Sequence, residues 1–340
     1  MRMPTDTEFK PVGFLYIGDP HVSSRNIGRR KDDYMRSGLA KLDACAALCR
    51  EKKLLPVILG DLLHRNDDSK PTMLNKLVRT LKRFPVAPLV LEGNHDKEKT
   101  ELSDEDVLTL LVETDVVELV GEGVFREFLF EGASAPVRLW GCPYGAAIPR
   151  HLPEFNGATV MLTHHDMAFS SSYPGALPLI EIHNCAMVVN GHMHDTKPLQ
   201  RMGQTVWHNP GNIEPLSVDL AHHVPKAWEW RPDMATTELC GHLLPHGTDL
   251  FDIAGLEVAA ADAGTAVAGL PTQESSFARL LASQSSTEAA KTTDGTVLVE
   301  DLGTVLSAQN ASDPVRRLML ALAGKVAMVP AGAPPEPAAA

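Results

Sequence analysis

The stretch Asn190-Gly191-His192-Met193-His194 places two imidazoles one residue apart, directly after the apolar run Ala186-Met187-Val188-Val189. A lone Gly-His-x-His also fits a loop with two solvated histidines, so the pair needs company to mean a site. The company comes from Gly18-Asp19-Pro20-His21, Gly60-Asp61, Gly93-Asn94-His95-Asp96 and Thr163-His164-His165-Asp166, each of which follows an apolar run. Together they offer the carboxylates Asp19 and Asp61, the amide of Asn94, and the imidazoles of His21, His95, His164, His192 and His194. That is enough for two divalent ions sharing a ligand. A mixed oxygen and nitrogen set without thiolate suits Mn²⁺, Fe or Zn²⁺ better than Mg²⁺ or Ca²⁺, which prefer oxygen. Two such ions about 3.5–4 Å apart bind the attacking and leaving oxygens of a phosphoryl group and lower the pKa of a bridging water.

The elements that must position these groups are short strands. Residues 14–17, 54–59, 86–91, 159–162, 186–189 and 205–207 are apolar runs of strand length, bounded by Gly, Asn, Asp or Pro. The chemistry-bearing groups follow their C-terminal ends, where open α/β sheets hold their ligands. Residues 34–53 predict a helix with Leu39, Leu42, Ala46 and Cys49 on one face, and residues 71–83 a second with Pro71 in its first turn. A third helix is expected over 104–113, with Ser103 as N-cap and Asp106 three residues on. Residues 116–142, punctuated by Gly121, Gly123 and Gly132, suit an antiparallel hairpin region, and 224–231 and 236–240 are expected as last strands. Residues 170–178 and Asn209-Pro210-Gly211-Asn212 are expected as a loop and a turn.

The chain has 340 residues and a net charge of −12, which argues against a protein that coats nucleic acid through a general basic surface. It leaves room for a nucleic-acid enzyme, because bound cations invert the local field of the carboxylates that hold them. The five cysteines form no Cys-x-x-Cys pair and are expected as reduced thiols, mostly in the core, in a cytosol-like compartment. Cys45 and Cys49 share one helix face. Neither a leader nor an apolar run long enough to span a membrane is evident, so a cytoplasmic location without membrane contact is expected. There is no P-loop and no Gly-x-Ser-x-Gly, so ATP hydrolysis and serine hydrolase chemistry have no support. Composition divides the chain into a main domain over 1–235, a small cap-like or accessory region over 236–329 and a Pro/Ala tail over 330–340 expected to be disordered. Residues 254–269 are rich in Ala, Gly and Val, and 313–329 reads as an amphipathic helix.

Asp19-x-His21, Gly60-Asp61, Gly93-Asn94-His95-Asp96, His164 and Gly191-His192-x-His194 resemble, in order, the five motifs of the calcineurin-like metallophosphoesterase superfamily. The resemblance covers residues 14–195 and implies an α/β fold of four αββα layers, with two mixed sheets and helices on both outer faces. It implies that Asp19, His21 and His194 hold one metal, that Asn94, His164 and His192 hold the other, and that Asp61 bridges them. His95 would lie beside the scissile phosphate and protonate the leaving oxygen, with a supporting place behind Asp61 or Asp19 as its alternative. Asp96 is a candidate for orienting His95. His165 is expected behind the ligands or in solvent, and His208, His222, His223, His242 and His246 match no motif.

Gly60-Asp61-Leu62-Leu63-His64-Arg65 departs from the Gly-Asp-x-Val-Asp-Arg-Gly of protein Ser/Thr phosphatases. With Asn209-Pro210-Gly211-Asn212-Ile213-Glu214 it is more similar to nuclease subunits of double-strand-break repair complexes, the bacterial and phage SbcD type. That resemblance implies a Mn²⁺-dependent DNA exo/endonuclease acting in repair, recombination or phage DNA processing, with His64 near the substrate phosphate. It also implies an ATPase partner of SbcC type and a homodimer. A small-molecule phosphodiesterase or phosphatase with the same metals is the alternative, and a scaffold with a vestigial site is the non-enzymatic one. The 313–329 helix is the candidate docking element, with packing on its own domain as the other role open to it.

Overall fold

The structure, a computed structural model, describes residues 9–169, 175–232 and 238–252. In chain order its elements are β1 (Gly13–Ile17), α1 (Tyr34–Lys52), β2 (Leu54–Ile58), α2 (Pro71–Leu81), β3 (Leu89–Leu91), α3 (Val107–Glu113), β4 (Glu118–Val120), β5 (Phe125–Phe128), β6 (Val137–Cys142), β7 (Ala158–His164), β8 (Met187–Gly191), β9 (Lys197–Met202), β10 (Thr205–Asn209), β11 (Lys226–Trp230) and β12 (Cys240–Leu243). They build two six-stranded sheets, ordered β12-β11-β1-β2-β3-β4 and β5-β6-β7-β8-β10-β9. In the first, β1 to β4 are parallel, while β11 pairs antiparallel with β1 and β12 antiparallel with β11. In the second, β6, β7, β8 and β10 are parallel, with β5 and β9 as antiparallel edges. The expected two-sheet sandwich of mixed sheets is what the chain builds.

Period-two alternation sorts the strand side chains into layers. Leu15 and Ile17 of β1 pack with Leu42, Cys45 and Cys49 of α1 and with Leu77 of α2. Phe14 and Tyr16 point the other way and meet Val160, Leu162 and Val189 of the second sheet. Each such fully buried aromatic or aliphatic side chain contributes about 1.5–3 kcal/mol. α1 forms because its apolar residues recur at three- and four-residue spacing and because the Asp33 side chain accepts from the Arg36 N–H at 3.0 Å. Arg50 and Lys52 fall in its last turn, and Pro71 opens α2.

Several expectations need correction. Among the described residues the helices cover the first sheet only. The outer face of the second is closed by non-helical segments, whose Leu152, Met167, Phe169 and Ile182 pack on Met161, Val188 and Trp207. The N-cap of α3 is Asp106, not Ser103; its carboxylate turns back to accept from the Ser103 N–H at 2.8 Å and the Ser103 hydroxyl at 2.9 Å. Within 116–142 only β5 and β6 form a hairpin, because β4 joins the first sheet in parallel beside β3. β12 pairs with β11, so the first sheet continues past residue 235. Cys45, Cys49, Cys142 and Cys185 are buried and free, whereas Cys240 is exposed. The 254–269 segment, the helix expected at 313–329 and the tail at 330–340 lie outside the described residues. Among the described residues, no helix is long and apolar enough to cross a membrane.

Candidate metal centre

Strand register brings the ligand-capable residues to one edge. β1 and β2 run in register to Ile17 opposite Ile58, so Gly18-Asp19 and Leu59-Gly60-Asp61 leave the sheet at the same level. In the second sheet His164 stands opposite Gly191, one residue before His192. The sheets meet at this edge, where His164 Nδ1 lies 2.8 Å from the Leu59 carbonyl. Donation to that carbonyl leaves Nε2 facing inward.

All seven residues of the implied ligand set converge. Asp61 Oδ2 lies 3.5 Å from His21 Nε2 and 3.2 Å from His164 Nε2, between the two proposed sets. On one side His21 Nε2 and His194 Nε2 are 3.0 Å apart. On the other, Asn94 Oδ1 is 3.2 Å from His164 Nε2 and 2.9 Å from His192 Nδ1. Asp19 is 1% exposed, and its Oδ1 accepts from the His192 N–H at 3.1 Å. His192 Nε2 is 3.2 Å from Asp166 Oδ2, so donation there leaves Nδ1 free as a ligand.

Glycine is required where the loops press together. A Cβ on Gly93 would stand 2.1 Å from Asp61 Oδ1 and 2.4 Å from Asp61 N. A Cβ on Gly191 would stand 2.3 Å from the Leu59 carbonyl oxygen and 2.7 Å from His164 Nδ1.

The electrostatics suit cations. Asp19 Oδ2 is buried without a hydrogen-bond partner, an arrangement that costs free energy unless a positive group meets it. Burial pushes the imidazoles of His21 and His192 down and that of His194 to about 4, which keeps them in the neutral form that ligates. Burial also raises Asp19 to about 7. Burial would lower His164 too, but Asp61 and Asp19 outweigh it and raise the imidazole to about 9. Burial opposes ionisation of Asp61, yet His164 and His21 prevail and hold its carboxyl below the usual range. With these donors the seven residues fit a pair of divalent ions, and Asp61 Oδ2 lies between the two groups of imidazoles.

His95 and His64 stand beside the ligands. The His95 ring lies 4.9 Å from that of His21, and His64 stacks on His95 at 5.3 Å. The His95 N–H donates to Asp61 Oδ1 at 2.8 Å, and its Nδ1 lies 2.8 Å from the His64 carbonyl. Asp96 does not orient His95, contrary to expectation. Its carboxylate is engaged by the backbone N–H groups of Gly93 at 3.0 Å and Leu63 at 3.1 Å, so it fixes the two loops instead. His165 is turned away, with Nε2 2.9 Å from the Ala146 carbonyl. His208 packs on Trp228, and His223 Nε2 lies 2.7 Å from the Asn212 carbonyl. His242 joins Glu229 and Cys240 on β11 and β12, where Arg231 and Lys52 also engage Glu229.

Two neighbours carried no motif. Asp166 sits two residues beyond His164 and was open to notice as a carboxylate near a ligand. Tyr144 follows Pro143 just past the end of β6, and its ring lies 5.5 Å from that of His192. The buried amides Asn190 and Asn209 bond one another at 2.9 Å, and Asn209 Nδ2 donates to the carbonyls of Met193 at 2.7 Å and Asp195 at 2.8 Å. They hold the His192–His194 loop.

Two mixed sheets that deliver carboxylates, an amide and imidazoles to one edge define a metallophosphoesterase. The family model for calcineurin-like phosphoesterases matches residues 13–196, more than half of the chain, and the chain belongs to that family. No curated protein matches it. Similar solved structures include a 5'-nucleotidase precursor from Thermus thermophilus, at 12% identity and TM-score 0.42, covering 74% of this chain and 58% of that one. A dimetal phosphatase from Danio rerio matches at 14% identity and TM-score 0.42, over 69% of this chain and 100% of that one. A hypothetical protein from Thermus thermophilus matches at 13% identity and TM-score 0.38, over 68% of this chain and 99% of that one.

Proposed function

We propose that this phosphoester hydrolase acts on DNA phosphodiesters as a nuclease of SbcD type, with Mn²⁺ as its ion and Fe or Zn²⁺ as alternatives. Asp19, His21 and His194 would hold one ion and Asn94, His164 and His192 the other, with Asp61 placed between the two sets. Bound ions of this kind polarise phosphoryl oxygens and make a nucleophile available near neutral pH. The observation that carries the proposal is the His64–His95 stack beside the ligands. The His64 carbonyl engages His95 Nδ1, so Nε2 is the ring nitrogen left to protonate a leaving oxygen. A sugar hydroxyl is a poor leaving group without that proton. His64 adds a second imidazole for a non-bridging oxygen. An ATPase partner of SbcC type and a homodimer belong to the same proposal.

The net charge of −12 favours a second reading, a small-molecule phosphodiesterase or phosphatase with the same metals. One assay separates the two. Purified chain with Mn²⁺ is given linear duplex DNA, single-stranded DNA, bis-p-nitrophenyl phosphate and a phosphomonoester side by side, with His95→Ala as control. DNA cleavage that His95→Ala lowers by about 10²–10⁴-fold, the usual worth of a positioned proton donor, is the expected result. Turnover of the small esters alone would select the second reading.

A further inference from the structure

We infer that Tyr144 forms a stacking subsite for a nucleobase flanking the scissile phosphate. The inference rests on the proposed action on nucleotide diesters and names the part of the substrate that the metal site itself does not read. Tyr144 follows β6, on a loop fixed at both of its backbone groups. Its N–H donates to the Glu92 carbonyl at 3.2 Å, and its carbonyl accepts from Lys97 Nζ at 3.1 Å. Lys97 also pairs with the Glu92 carboxylate and donates to the Thr100 carbonyl. Its side chain is 7% exposed, so a buried cation holds the tyrosine's loop to the segment that carries Asn94 and His95.

The ring lies against the ligands of one metal set. Its centroid is 5.5 Å from that of His192 and 6.4 Å from that of His164, and it stacks on His165 at 6.4 Å. Despite these three neighbours Tyr144 remains 40% exposed. A fixed aromatic surface one ring away from two ligands can receive the flat group attached to a bound phosphate. In a DNA strand that group is a base, and every base offers a π-face whatever its sequence. Preorganisation of the loop means that little ordering cost is left for the ring when it binds.

The test uses the full metal-loaded chain and two probes, a non-hydrolysable thymidine dinucleotide and its analogue lacking both bases, titrated by calorimetry. Wild type is expected to bind the base-bearing probe more tightly by about 5- to 150-fold, the span of base–aromatic stacking. Tyr144→Ala should erase that preference and leave the affinity for the baseless probe unchanged. Tyr144→Phe and Tyr144→Trp should keep it. Equal affinity of wild type for both probes, or a preference that survives in Tyr144→Ala, would overturn the inference. Hydrolysis of ordinary thymidine dinucleotide and DNA by wild type is scored separately, and its failure counts against the nuclease proposal and not against the stacking subsite.

Discussion

Glu214→Gln probes what holds the metal-bearing loops from behind. Glu214 is fully buried, and its carboxylate meets Arg30 Nη1 at 2.5 Å, Lys41 Nζ at 2.7 Å and the Ser37 hydroxyl at 3.1 Å. Lys41 is itself 1% exposed on α1. Immediately before Glu214, the Ile213 N–H donates to the Gly18 carbonyl at 2.8 Å and the Asn212 N–H to the His194 carbonyl at 2.9 Å. One buried carboxylate thus ties α1 to the loop that joins the first and last ligand segments. Neutralising it leaves Lys41 as an uncompensated buried charge, at a cost of about 3–5 kcal/mol. For a domain of this size that lowers Tm by roughly 6–20 °C. The assay is urea unfolding and calorimetry of Glu214→Gln, Lys41→Met and the double variant. The double variant should recover more than half of the loss, because it removes the orphaned charge along with its partner. A loss below about 1 kcal/mol in the single variant, or no recovery in the double, would refute this account of the network.

Gly93→Ala should push Asp61 aside, since the new Cβ would stand 2.1 Å from its Oδ1. A misplacement of that order lowers kcat/KM by about 10²-fold, and wild-type turnover by a folded Gly93→Ala protein would contradict the packing argument. In the metal-free chain the His164 imidazole is raised to about 9, so its stabilisation is complete below the unfolded value of about 6.5 and is lost as pH rises through 9. Asp19, raised from 3.8 to about 7, acts in the same direction but over a lower window, between about pH 4 and 7. The Tm of metal-free protein should therefore fall between about pH 6.5 and 9, while that of loaded protein should not; a flat metal-free profile by calorimetry would reject the charged Asp61–His164 pair.

The ligand residues were legible because each follows a short apolar run, and because Gly before Asp61 and before Asn94 marks a turn in sequence. Parallel register then does what no pattern states, setting Ile17 opposite Ile58 and His164 opposite Gly191. β9 was hidden because Lys197-Pro198-Leu199-Gln200-Arg201-Met202 is polar and carries a proline, as befits a half-exposed edge strand. β4 read as part of a hairpin because Gly121 and Gly123 follow it, yet it pairs backwards with β3. The outer layer of the second sheet takes no helical period, with Pro143, Pro149 and Pro153 interrupting its first segment. Tyr144 was missed because its role comes from contacts made across the fold, and nothing in its flanking residues distinguishes it; Asp166 stands beside a ligand motif, but its contact with His192 is set only by the fold.

Removing the ions tests whether they build the site or only occupy it. Asp19, His21, Asp61 and His192 adopt the left-handed backbone, with φ of 35°, 45°, 47° and 69°. Each such conformation in a non-glycine residue costs about 1–3 kcal/mol and persists only where the surroundings impose it. For Asp19, His21 and Asp61 the surroundings are backbone bonds that join the loops after β1 and β2. The His21 N–H donates to the Asp61 carbonyl at 2.8 Å, the Val22 N–H to Leu62 at 2.9 Å and the His64 N–H to Val22 at 3.0 Å. None of these bonds involves a ligand side chain, and the sandwich core beneath them is built from apolar side chains. Chelation should therefore leave a folded, cooperatively unfolding chain, unlike a small metal domain whose core is the metal. Loading at a hundredfold excess over Kd adds about 2.7 kcal/mol per ion, which at this size is a Tm rise of roughly 5–11 °C for each. Far-UV circular dichroism and differential scanning calorimetry with and without EDTA would measure both effects. Loss of the sheet signal on chelation would show that the strained loops are held by the metals and not by the backbone bonds between them.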